Sequence, residues 1–171
     1  MPHIAFIAIG SNLGNPAEQC HRALCKLENT EGITLACCSS FYPTDPLVPD
    51  GVDHSTVPAY VNAVCEISTT LTPELLLARL LVIEKEMGRE RREKWESRII
   101  DLDLLFYDDL VFHTNTLRVP HPEIQNRRFV LEPLCEIAPQ WIHPVHKRTV
   151  REMAGDLSST IHYSPSTIHQ S

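Results

Sequence analysis

The stretch "SRIIDLDLLF", Ser97 to Phe106, is an apolar run that nonetheless holds two carboxylates, Asp101 and Asp103. Its hydrophobic residues suit a buried strand, along which side chains alternate between faces. Alternation puts Asp101 and Asp103 on one face and Leu102, Leu104 and Phe106 on the other, the core side. A buried carboxylate is costly unless it is paired, hydrogen-bonded or metal-bound. Two of them roughly 7 Å apart along a strand repel unless something positive lies between them.

Upstream, "TPELLLARLLVIEKEMG" reads as a helix, with Thr72 at its N-cap, Pro73 at the first helical position and Gly88 just past its end. Three earlier segments, "HIAFIAIG" (3–10), "ITLACCSSFY" (33–42) and "AYVNAVCEIST" (59–69), read as strands. The first is closed by a Gly-Ser-Asn turn, and Asn15-Pro16 then opens a helix with Ala23, Leu24 and Leu27 at helical spacing. Downstream, a turn at Asp108-Asp109 predicts a short hairpin with "LVFH", and "HPEIQNRRFVLEPLCEIAP" reads as loop and short helix. The order predicts an α+β fold with a ferredoxin-like βαββαβ core. Its mainly antiparallel sheet carries two helices on one face, plus a short extra hairpin. One domain is expected over 1–157, followed by a polar C-terminal tail, 158–171.

Composition narrows the function classes. Net charge is −7, from 22 acids against 15 bases, whereas a general nucleic-acid binder is normally basic. No apolar run approaches the ~20 residues of a membrane span. "MPHIAFIAIGSN" reads as a first strand and not as a leader. The six cysteines form no CxxC pair, which predicts buried, inert thiols in a reducing cytoplasm. A cytoplasmic monomer with small-molecule substrates is expected, with no nucleic acid and no membrane as partner.

The bases are unevenly spread: five of the 15 fall within "RERREKWESR", 89–98. Arg89, Arg91, Arg92 and Arg98 provide guanidinium forks that suit phosphate oxygens. Hard divalent cations prefer carboxylate oxygens, and Mg²⁺ takes one or two of them plus phosphates. A basic loop beside an acid pair is thus what a polyphosphate substrate needs, and the loop's place between a helix and a strand suits a lid. The alternative for the loop is a solvated surface, and for the acids an exposed pair bridged to Arg98. "GSNLGN" lacks the Lys-Ser/Thr ending of a phosphate loop and reads as a turn. Tyr60 and Asn62 share a strand face, where a ring and an amide suit a flat heterocycle or an ordinary sheet surface. His121, between two prolines, is either a phosphate contact or a turn cap. Glu84 lies in the last turns of the second helix, where most glutamates face solvent.

Together "IAIGSNLGN", "YVNAV", "IEKEMGRERR", "SRIIDLDLLF" and "VPHPEIQNRRFVLEPLCEIAP" resemble the 6-hydroxymethyl-7,8-dihydropterin pyrophosphokinase family, in the right order over most of the chain. The resemblance implies transfer of pyrophosphate from ATP to the pterin's hydroxymethyl group, with release of AMP, in folate biosynthesis. It implies that Asp101 and Asp103 hold two Mg²⁺ ions and that Arg89 and Arg91 close over ATP. Arg98, His121 and Arg127 would touch its phosphates, and Glu84 would support the nucleotide site. Tyr60 and Phe129 would sandwich the pterin, with Asn62 and the backbone near Thr44 and Leu47 reading its edge. The chain departs from the family's common pattern at Glu96-Ser97, Asp45, Val48 and Pro122. Two other readings stay open: a metal-dependent nucleotidyltransferase, which would release pyrophosphate, and a non-catalytic ferredoxin-like binding module.

Overall fold

The computed structural model describes residues 1–44, 51, 60–88 and 99–158. One antiparallel sheet contains β1 (His3–Ser11), β2 (Ile33–Cys38), β3 (Tyr42–Thr44), β4 (Tyr60–Thr69) and β5 (Asp101–Tyr107). The strand order is β2-β4-β1-β5, with β3 paired to the other end of β4. Helices α1 (Pro16–Glu28) and α2 (Pro73–Glu86) make the crossovers. A two-stranded ribbon, β6 (Phe112–His113) with β7 (Arg118–Val119), precedes α3 (Arg128–Ile137) and α4 (Val150–Ser158). The starts of α1 and α2 follow from local chemistry. Asn15 and Thr72 accept from the backbone N–H groups of Glu18 and Leu75, and each helix has a proline in its first turn. The order is the α+β, ferredoxin-like one expected.

Cores form on both faces of the sheet: α1 and α2 cover one face, as expected, and α3 and α4 pack on the other. Ala5, Ile7 and Ile9 of β1 pack with Leu24 and Leu27 of α1 and Leu76, Leu80 and Ile83 of α2. Phe6, Ala8, Val64, Leu105 and Phe106 pack on the opposite side against Val130, Leu131 and Leu134 of α3 and Val150 and Met153 of α4.

A bulge breaks the simple alternation in β5. Phe6 pairs with Phe106 but Ile7 pairs with Leu104, so Leu105 has no partner of its own on β1. Phe106 therefore joins Leu105 in the α3 core and does not share a side with Leu102 and Leu104, as strict alternation predicts. The hairpin also differs from expectation, since β6 pairs with β7 and not with β5. Asp108 ends β5 in the left-handed region, φ 47°. Its N–H donates to the Ile4 carbonyl at 2.7 Å, and its carboxylate accepts from the Ile4 N–H at 2.8 Å. The predicted 33–42 strand is split. Ser39 takes its place against Val64, its hydroxyl accepting from the Val64 N–H at 2.9 Å, and the chain re-enters the sheet only at Tyr42.

Cys20 and Cys65 are buried, as expected of inert thiols, whereas Cys25 and Cys37 are exposed. Burial pushes the Cys20 thiol up to about 12. Among the described residues no helix is long and apolar enough to cross a membrane.

Candidate active site

Helices α3 and α4 leave part of their face of the sheet uncovered, and the polar groups gather there. Two rows cross the adjacent strands β4, β1 and β5. Asn62, Gly10 and Asp101 stand in register in one, and Val64, Ala8 and Asp103 in the next. Alternation points all six toward the α3 side. Strand β1 thus contributes only a hydrogen and a methyl between the amide and the carboxylates, which leaves an open floor. A Cβ on Gly10 would lie 2.9 Å from Asn62 Oδ1. Gly10 and Ser11 belong to β1, so the strand runs one residue beyond the expected 3–10 and into the Gly-Ser-Asn segment.

At the acidic end, Arg127 Nη1 stands 4.0 Å from Asp103 Oδ2. The same guanidinium lies 5.7 Å from the centroid of the Phe129 ring, so one cation faces both a carboxylate and an aromatic surface. His121 arrives beside them because its N–H donates to the carbonyl of the bulged Leu105 at 2.9 Å. Its Nδ1 accepts from the Glu123 N–H at 3.2 Å, which leaves Nε2 to carry the proton of the neutral ring. Burial, and then the Arg127 cation, lower the His121 pKa against the opposing pull of Asp103 and Glu123. The lowered pKa favours the neutral ring, in which Nε2 is the donor.

Two large rings stand open to solvent, Tyr60 at 38% and Phe129 at 41% exposure. Phe129 lies in the first turn of α3 and not in a loop, which fixes it on a rigid element. Asn62 is buried, and its Nδ2 donates to Thr44 Oγ1 at 3.0 Å. Thr44 is also the strand partner of Tyr60. The structure therefore brings Thr44, Tyr60 and Asn62 together.

Glu84 does not share this face. It is 3% exposed on α2, and its Oε1 accepts from the Leu102 N–H at 2.8 Å, at the peptide between the two aspartates. A carboxylate there satisfies the open edge of β5, a role that helix position alone did not disclose. Glu84→Ala is expected to cost about 1–3 kcal/mol, the penalty for a buried donor left without its acceptor. Glu84→Gln, which keeps an acceptor oxygen, should lose less. Thermal denaturation of the two variants checks this, and equal, wild-type melting would contradict it. Leu47, Arg89, Arg91 and Arg98, with the whole 89–98 loop, lie outside the described residues.

The arrangement can hold an anion and its counter-cations at one end and a flat polar ring at the other. Residues 6–139 match the model of the 7,8-dihydro-6-hydroxymethylpterin-pyrophosphokinase family. The chain belongs to that family. A 2-amino-4-hydroxy-6-hydroxymethyldihydropteridine pyrophosphokinase of Haemophilus influenzae is 43% identical over 140 residues, covering 82% of this chain and 84% of its own. Its Synechocystis counterpart is 37% identical over 158 residues, 92% of this chain and 78% of the relative. The fold is also that of a Plasmodium falciparum HPPK-DHPS crystal structure, with a TM-score of 0.73 at 16% identity. That match covers 93% of this chain and spans 45% of the longer one. As a family member the chain is a transferase, an ATP-dependent pyrophosphokinase of folate biosynthesis.

Proposed function

We propose that the rows Asn62-Gly10-Asp101 and Val64-Ala8-Asp103 are the floor on which the pterin and ATP meet. The observation that carries this reading is the register, which sets the Asn62 amide on one side of Gly10 and Ala8 and the two same-face carboxylates on the other. Tyr60 and Phe129 hold the pterin between their rings, while Asn62, with Thr44 and Leu47, reads its polar edge. ATP lies over the acidic end, its phosphates met by Arg127, by the Nε2–H of His121 and by Arg98. Arg89 and Arg91 close over it from the basic loop.

Asp101 and Asp103 suit Mg²⁺. Among the described residues no three His, Cys, Asp or Glu side chains group to hold a metal. A two-carboxylate donor set fits a cation that completes its shell with phosphate oxygens and water. When bound, the ions neutralise the triphosphate charge. Transfer then follows from placement: the hydroxymethyl oxygen forms a bond to the β-phosphorus as the bond to the α,β-bridging oxygen breaks. AMP leaves with that electron pair, and the hydroxyl proton passes to solvent. All six cysteines are unpaired, which supports a reducing, cytoplasmic setting for the enzyme.

Mn²⁺, used as a paramagnetic stand-in for Mg²⁺, tests the metal assignment. In the presence of a non-hydrolysable ATP analogue it should bind the wild type and lose that binding in the Asp101→Asn/Asp103→Asn double variant. Equal Mn²⁺ binding by both would overturn the assignment. The floor has its own test in Gly10→Val. The added methyls crowd Asn62, so over-packing of about 1–3 kcal/mol is expected. Pterin affinity should fall with it, read by thermal denaturation and titration; unchanged pterin affinity would contradict the placement.

A further inference from the structure

Three hydrogen bonds converge on one carboxylate away from the substrates. Glu136 Oε2 accepts from the Ser40 N–H and the Tyr42 hydroxyl, each at 2.8 Å, and Oε1 accepts from Ser40 Oγ at 2.6 Å. Glu136 follows Phe129 by two turns of α3, seven residues on, so both lie on one side of the helix. Tyr42 is the direct strand partner of Asn62 and stands two residues before Thr44, so Tyr42, Thr44, Tyr60 and Asn62 all share the α3 side of the sheet. Glu136 thus hydrogen-bonds α3, the helix that carries Phe129, to β3, the strand that pairs with β4 and its Tyr60. Hydrogen bonds to an ionised acceptor are among the stronger ones. Burial and the Glu136 carboxylate raise the Tyr42 pKa, so the phenol stays a donor throughout the neutral range.

We propose that Glu136 is a positioning residue for the heterocycle slot, a clamp that sets the separation between the α3 wall and the β3–β4 wall. It touches neither substrate and acts through Tyr42 and Ser40 on Thr44, Asn62 and the spacing of the two rings. The proposal rests on the assignment of Tyr60 and Phe129 to the pterin. It gives the enzyme a means of pterin recognition independent of the ATP end.

The test is titration of the purified full-length chain with the pterin and, separately, with a non-hydrolysable ATP analogue plus Mg²⁺. Glu136→Ala is expected to weaken pterin binding about tenfold, on the scale of one charge-assisted hydrogen bond, and to leave ATP-analogue affinity unchanged. Glu136→Gln keeps an acceptor and should recover part of the loss, and Tyr42→Phe should lose less than Glu136→Ala. The double variant Glu136→Ala/Tyr42→Phe should bind the pterin no worse than Glu136→Ala alone, because both act through one contact. A merely structural glutamate would lower the melting temperature without separating the two affinities. Phe129→Ala, run alongside, distinguishes the two levels of the argument. Loss of pterin in Phe129→Ala with wild-type affinity in folded Glu136→Ala overturns the clamp alone. Wild-type pterin affinity in Phe129→Ala overturns the slot, and the clamp with it. Should Glu136→Ala not fold, Tyr42→Phe decides, and unchanged pterin affinity there overturns the proposal.

Discussion

Asp101→Ala and Asp103→Ala should each lower turnover at least ~10²-fold, the loss expected on removing a strong electrostatic stabiliser of the transition state, while the fold persists. The two side chains lie on the face that α3 leaves open, outside both apolar cores, so truncation removes no packing. Asp103 does have Arg127 within 4.0 Å, but at a partly exposed site, where an ion pair contributes ~0–1 kcal/mol. The strand itself is held from behind by Glu84 at Leu102 and by its pairing with β1, neither of which involves the two carboxylates. Stopped-time assays with saturating ATP and Mg²⁺, alongside circular dichroism, separate catalysis from folding. Near-normal Mg²⁺-dependent turnover in both variants would remove the metal assignment.

The second large effect is expected at Phe129. A flat ring stacked on an aromatic side chain gains ~1–3 kcal/mol, so Phe129→Ala should weaken pterin binding by roughly 5- to 150-fold at 1.4 kcal/mol per tenfold. Its 41% exposure means that the core gives up little when the ring is removed. ATP binding to the free enzyme should hardly change, because the phosphate contacts are proposed for the acidic end. One neighbour links the two ends: Arg127, whose guanidinium faces both the Phe129 ring and Asp103. Calorimetric titration with each ligand separately shows whether the division holds. Loss of ATP affinity with retention of the pterin in Phe129→Ala would contradict it.

Much of this was legible in the sequence, for physical reasons that differ along the chain. The capped starts of α1 and α2 are local features, carried by Asn15-Pro16 and Thr72-Pro73, and both are present. The shared face of Asp101 and Asp103 needs only period-two alternation and lies before the bulge. Phe106 lies after it, and one unpaired residue, Leu105, was enough to move it to the opposite core. No composition cue marks that bulge. Its partner, the His121 N–H, is sixteen residues away and comes into view only in three dimensions. The same holds for Glu84, whose surroundings in α2 look like a surface turn until the N–H of Leu102 is seen to need an acceptor. Gly10 ends the strand expected over 3–10, and nothing in its local sequence shows that it forms the floor between Asn62 and Asp101. The resemblance to a known family supplied what no pattern could, the proposed pairing of Tyr60 with Phe129, 69 residues apart.

As a pyrophosphokinase, the protein should move pyrophosphate, and not a nucleotidyl group, onto a pterin. Incubating the protein with ATP, Mg²⁺ and 6-hydroxymethyl-7,8-dihydropterin, and following phosphorus by NMR, tests it most directly. AMP and the pterin diphosphate should accumulate in equal amounts, with no free pyrophosphate. Release of pyrophosphate with an AMP-bearing pterin, or no reaction at all from the folded protein, would contradict the account.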